Sequence, residues 1–141
     1  MKPIRLYRNK EEKIMKAPRF FKCNHCQNII VMVEDKGVPV FCCGEKMQEL
    51  KANTSDGASE KHVPVVEVNG KEVKVIVGDV AHPMLEEHHI AWIYLLTDQG
   101  GQLKYLDHTG APEAVFALAE GETVIAAYEY CNLHGLWRKD V

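Results

Sequence analysis

Four cysteines between positions 23 and 43, arranged as Cys23-Asn-His-Cys26 and the adjacent pair Cys42-Cys43, constrain this chain more than any other feature. The segment around them is too short to cohere by apolar burial alone, because below about 40 residues a domain usually needs a disulfide, a metal or a partner subunit. Residues 1–13 carry charges of both signs and no apolar stretch, unlike a secretory signal. The longest apolar runs, residues 29–33 and 90–96, fall far short of the roughly 18–20 residues that span a bilayer. The expectation is a cytoplasmic, reducing location without a membrane segment, where closely spaced cysteines are more often metal ligands or catalytic thiols than disulfides. Cys23-x-x-Cys26 places two thiols on one tight turn. Adjacent residues normally point their side chains apart, so bringing Cys42 and Cys43 to the same ion requires a local backbone distortion. Four thiolates suit zinc or iron, and ligand identity alone does not choose between them. The unusual spacing tilts the choice towards iron.

The chemistry then changes character along the chain. Residues 51–59, Lys-Ala-Asn-Thr-Ser-Asp-Gly-Ala-Ser, have no apolar periodicity and read as a linker or mobile loop. The boundary is placed there, with a first domain over residues 1–52 and a second over 53–141. With 141 residues, 46% hydrophobic and 26% charged, the chain can build one ordinary globular domain beside a small one, and a large multidomain enzyme is excluded. A net charge of -3 leaves no basic footprint for nucleic acid. The second part reads as β throughout. Residues 63–68 and 72–77 flank Asn69-Gly70, a dipeptide suited to a type I′ hairpin turn. Further strands are expected at 90–97, 102–106, 114–118 and 123–130. Residues 115–119 have some helical propensity and 83–87 could make one turn, but neither could anchor a helical domain. Short strands separated by regular turn signals predict a mainly β fold, an antiparallel sandwich resembling the immunoglobulin fold.

Three separate knots of donors punctuate that second part: Glu60-Lys-His62-Val-Pro64, His82-Pro-Met-Leu-Glu-Glu-His88 and Cys131-Asn-Leu-His134-Gly135. Loops gather at the ends of a sandwich, so these segments can bring four imidazoles and one thiolate to a single point. That set is too numerous for a closed tetrahedral zinc site, and mixed nitrogen and sulfur donors suit a redox-active iron. Five donors leave one octahedral position for a small ligand, and a thiolate opposite it raises electron density on the iron. His88 and His89 are neighbours on an extended segment and should diverge, His88 towards the iron and His89 to the opposite face. Lys61 is the best local attractor for an anion.

The stretch Phe21-Lys-Cys-Asn-His-Cys-Gln-Asn28, followed by Cys42-Cys-Gly-Glu-Lys-Met47, resembles desulforedoxin, a small iron protein with a distorted four-cysteine site. The whole pattern from Phe21 to Trp137 resembles the desulfoferrodoxins, the two-iron superoxide reductase family. That resemblance implies a desulforedoxin-like first domain and an immunoglobulin-like catalytic domain. It implies two mononuclear irons per chain and no haem: one on Cys23, Cys26, Cys42 and Cys43, the other on His62, His82, His88, Cys131 and His134. The implied activity is one-electron reduction of superoxide to hydrogen peroxide, with a rubredoxin-like electron donor and a homodimeric assembly in which the first domains help to form the interface. Glu60 matches the family residue that can occupy the sixth position of the oxidised iron. The chain departs from the family at residues 1–18, which lengthen the N-terminus, and at His89, where an aromatic residue is usual. The competing reading is a non-catalytic iron electron-transfer protein, and a third is a zinc-stabilised interaction module.

Overall fold

The computed structural model describes residues 6–8, 14–55 and 57–141. Apart from the strand pair β1 (Leu6–Arg8) and β2 (Ile14–Lys16) and the two residues that follow it, the N-terminal extension expected over residues 1–18 lies outside the described residues. The chain divides into two compact units, Met1–Lys51 and Ala52–Val141.

In the first unit, β3 (Phe20–Lys22) is the centre of an antiparallel sheet flanked by β4 (Ile29–Val31) and β7 (Gln48–Leu50). A separate ribbon pairs β5 (Phe41–Cys42) with β6 (Glu45–Lys46). The apolar core among the described residues is small: Phe21, Cys23 and Met47 are buried with Ile30, Met32 and Val40 packed against them, and Phe20 and Ala17 are the other buried apolar side chains. Arg19 lies over the Phe21 ring and bridges Asp35 and Glu49 at 2.9 Å each. So few buried side chains, each worth about 1.5–3 kcal/mol, leave the unit dependent on some further cross-link.

The second unit is an antiparallel sandwich of the immunoglobulin kind. One sheet runs β11–β10–β13–β14 and the other β12–β9–β8. Its strands are β8 (Pro64–Asn69), β9 (Glu72–Val77), β10 (Ile90–Thr97), β11 (Gly100–Tyr105), β12 (Glu113–Ala117), β13 (Val124–Cys131) and β14 (Gly135–Asp140). Strict alternation on β9 sends Val73, Val75 and Val77 inward, where they meet Ile93 and Leu95 of β10, Phe116 of β12 and Ala127 of β13. The segment with helical propensity at 115–119 is therefore mostly strand, because Ala114 and Phe116 fill that core. The turn proposed at 83–87 is not helical. It is closed instead by reciprocal bonds between the backbones of Leu85 and His88, at 2.9 and 3.2 Å.

The hairpin between β8 and β9 forms, but its turn is displaced by one residue from the expectation. Asn69 pairs with Glu72, so Gly70 and Lys71 are the central residues, and only Gly70 has positive φ, at 66°. That is the φ pattern of a type II′ turn, not of type I′. In the second unit two elements were not anticipated. A single helical turn, α1 (Ser59–His62), occupies the end of the supposed linker, and β14 completes the larger sheet. Register places the start of β8, the end of β9, the start of β10 and the end of β13 at one end of the sandwich: Pro64 pairs with Val77, and Ile90 with Cys131. A β-bulge after Ile90 accompanies this junction.

Candidate metal centres

Two turns build the four-cysteine cluster. Cys23 leaves β3, its N–H donates to Asn28 O (2.9 Å), and Gln27 N–H donates to Cys23 O (3.0 Å). Within this loop the N–H groups of His25 and Cys26 donate to Cys23 Sγ at 3.4 and 3.5 Å. They hold the Cys23 thiol down at about 6, the Cys26 amide contributing most. The other half is the β5–β6 ribbon, whose connecting residues Cys43 and Gly44 have φ of 54° and 75°. Two successive positive φ values are the type I′ pattern, and this is the distortion that adjacent cysteines require. Cys42 Sγ lies 4.0 Å from Cys43 Sγ and 3.6 Å from Cys26 Sγ. Metal–sulfur bonds of about 2.3 Å in a tetrahedron give sulfur–sulfur edges of about 3.8 Å, so the set fits one ion. The neighbouring Cys26 thiol is the chief cause of the raised pKa of Cys42 and of Cys43, the latter pushed up to about 12. His25 stays outside the set, exposed and 2.7 Å from Glu45.

At the end of the sandwich, His62, His82, His88, Cys131 and His134 each offer one donor atom, all within 4.8 Å of one another. They come from four local structures. His62 closes α1, His82 and His88 lie on the loop between β9 and β10, Cys131 ends β13, and His134 lies in the turn to β14. His62 Nδ1 donates to Ala58 O (2.8 Å) and His82 Nδ1 to Pro83 O (2.7 Å). A carbonyl can only accept, so each of these rings has a lone pair left at Nε2. Those lone pairs face one another: His82 Nε2 is 3.1 Å from His62 Nε2, which is 3.0 Å from His134 Nδ1. Among the described residues, His88 Nε2 is buried without a hydrogen-bond partner. Converging acceptors repel unless a cation lies among them, and imidazole nitrogens about 2.1 Å from one ion at right angles are about 3.0 Å apart. The donor set fits a metal. Burial is the main cause that lowers the pKa of His62, His82 and His88, His82 to about 4, so neutral imidazoles are favoured.

Cys131 is fully buried and belongs to the apolar core. Burial raises its thiol pKa, the amides of His134 and Leu133 oppose the rise, and His134 N–H reaches Sγ at 3.4 Å. Glu60 and Lys61 lie on α1 with exposed side chains. The Lys61 charge is felt at both His62 and His88, where it adds to the lowering of their pKa. His89 is directed away, its Nδ1 donating to the carbonyls of Leu85 (2.9 Å) and Glu86 (3.0 Å).

The supposed linker is part of this site. Ser55 Oγ donates to His134 O, Gly57 packs against the rings of His62 and His134, and Ala58 O anchors His62. Trp137 stacks on His62 at 4.9 Å, and its Nε1 donates to His134 O (3.0 Å). These supports were not assigned from the sequence because each acts through a backbone carbonyl or a ring face, which spacing does not reveal. Asn53 was equally hidden: its side chain pairs with the backbone of Arg138 on β14, like a short piece of strand.

Comparison with known proteins agrees with this chemistry. Residues 54–140 match the desulfoferrodoxin family model. A desulfoferrodoxin from Nitratidesulfovibrio vulgaris is 48% identical over 120 residues, covering 85% of this chain and 94% of the relative. A superoxide reductase from Pyrococcus horikoshii is 38% identical over 105 residues, covering 62% of this chain and 91% of the relative. The crystal structure of the superoxide reductase from Treponema pallidum superposes with a TM-score of 0.76 at 48% identity, covering 88% of this chain and 99% of the other. The chain belongs to the desulfoferrodoxin family.

Proposed function

We propose that this protein is a superoxide reductase, taking superoxide, one electron and two protons to hydrogen peroxide. The observation that carries this reading is the convergence of four imidazole rings and one cysteine sulfur, with the Nε2 lone pairs of His62 and His82 facing inward. Iron held by His62, His82, His88, Cys131 and His134 would supply the one-electron chemistry. The chain's own residues do the rest. His62, His82 and Cys131 are buried and keep bulk water from the donor set. Lys61 draws the substrate anion towards the donor set, an attraction that weakens as distance and salt increase. Glu60, one residue earlier, would offer a carboxylate to the iron held there. The four-cysteine centre, in a desulforedoxin-like domain over residues 1–52, holds the second mononuclear iron, and residues 53–141 form the catalytic domain.

A rubredoxin-like protein is the proposed electron donor, and the cytoplasm the proposed location. Among the described residues, no helix is long and apolar enough to cross a membrane. A homodimer is proposed on the family resemblance, and Val33, Val38 and Phe41 of the first unit support it, being 95%, 69% and 65% exposed. The deciding experiment is pulse radiolysis of the reduced, iron-loaded protein. One peroxide should form per superoxide consumed without release of dioxygen, and Lys61→Ala should slow the encounter and weaken its salt dependence. Dismutation to equal amounts of peroxide and dioxygen, or no reaction with superoxide, would overturn the assignment in favour of a different redox role.

A further inference from the structure

The five ligands of the second centre are not equally supported. His62 and His82 each have a ring nitrogen fixed by a carbonyl, and the carbonyl of His134 is held by Ser55 and Trp137. Among the described residues, no hydrogen bond is found to the ring of His88. Its direction must be imposed through its backbone. The residues on either side of it are gripped by one side chain. Asn132 Oδ1 accepts from His89 N–H (2.8 Å), and Asn132 Nδ2 donates to Glu87 O (3.0 Å). The backbone N–H of Asn132 also donates to His89 O (3.2 Å). The amide thus spans His88 from front to back.

Asn132 lies between two other ligands, Cys131 and His134. Its three bonds therefore stitch the turn that carries His88 to the turn that carries Cys131 and His134. We infer that Asn132 is a positioning residue that sets His88 against the rest of the donor set, acting through the peptide groups on both sides of the ligand and never touching the metal. An amide is suited to the task because it offers an acceptor and a donor at a fixed separation. Aspartate keeps the acceptor for His89 N–H but presents only an acceptor to Glu87 O. Alanine keeps neither. The inference rests on the reading of this cluster as an iron site, but not on the identity of the substrate.

The experiment compares Asn132→Ala and Asn132→Asp with the parent protein, all loaded with two irons and challenged with a chelator, the four-cysteine iron serving as an internal control. Loss of a residue that orients a ligand typically weakens metal retention roughly 10–100-fold. Asn132→Ala should release the second iron faster by about that factor, shift its thiolate-to-iron absorption, and lose hydrogen-exchange protection at the His89 amide. Asn132→Asp should retain that protection and fall between the two. Release of the second iron at the parent rate, with unchanged absorption in both variants, would overturn the inference. So would equal loss of both irons in both variants, which marks a general folding defect. Parent protein that retains both irons but does not reduce superoxide would refute the proposed activity, and the role of Asn132 would still be decided by iron release.

Discussion

Glu129 is the residue whose surroundings contradict its chemistry. It points into the sandwich on the same face of β13 as Ala127 and Cys131, is fully buried, and neither carboxylate oxygen has a hydrogen-bond partner among the described residues. Desolvation pushes its pKa up to about 9, so the carboxyl is neutral in the folded protein at pH 7. The sign follows directly. A folded-state pKa above the unfolded value means that the folded state keeps its proton longer, so stability is fully present below about pH 4.5 and declines as pH rises towards 9. The decline by pH 7 is of order 3 kcal/mol at about 1.4 kcal/mol per unit. Glu129→Gln should abolish that component, leaving a flatter dependence of the urea midpoint on pH and a more stable protein at pH 8. Parallel pH profiles for the two proteins would show that the carboxyl is not held neutral. The same neutral group lies two residues from Cys131, whose thiolate would otherwise face a second buried negative charge.

At the scale of elements, the α1 turn depends on a glycine outside it. Gly78 has φ of 88°, and a Cβ there would lie 2.5 Å from Val80 O and 2.7 Å from both Glu60 O and the Lys61 carbonyl carbon. Those are backbone atoms that cannot rotate away. The close approach lets Glu60 O accept from Val80 N–H at 2.9 Å, which fixes the turn carrying His62 to the segment leading to His82. Gly78→Ala should therefore cost about 2 kcal/mol or more and reduce occupancy of the second iron while sparing the first; denaturation and metal analysis of one preparation would check both. Full occupancy at parent stability would show that the contact is dispensable. Much of this architecture was legible in the sequence. The alternation of valines at 72–77 and the apolar run at 90–97 identified β9 and β10 to the residue, because half-buried strands write their period directly into the chain. The ligand residues were legible through their chemistry, since cysteines and histidines at such spacings have few other uses. α1 was not, because a single turn carries no periodic signal. β14 was hidden because Leu136, Trp137 and Arg138 are consecutive and all buried, Arg138 being paired with Tyr128 and Asp140. Neither was the siting of the hairpin turn, since Asn69-Gly70 has the composition of one turn and the register of another.

For the whole molecule, the contrast between the two units governs what each metal does for folding. The second unit has an apolar core drawn from both sheets, so it can stand without the ion at its end. Among its described residues the first has only Phe21, Cys23 and Met47 buried around its cluster, with Ala17 and Phe20 buried besides, and one of these is a cysteine of the cluster itself. Metal binding there is accordingly linked to folding of the unit. Cys42→Ser should lower the iron content from two to one per chain, remove the four-thiolate absorption, and open the chain before Ala52 to proteolysis. The His62, His82, His88, Cys131 and His134 centre should keep its iron and spectrum. If the first units also provide the dimer contact through Val33, Val38 and Phe41, sedimentation at micromolar concentration should find the parent protein dimeric and Cys42→Ser shifted towards monomer. Two outcomes are decisive against this division. Loss of both irons would make the units interdependent in folding, and a protease-resistant first unit without iron would show that its small core suffices.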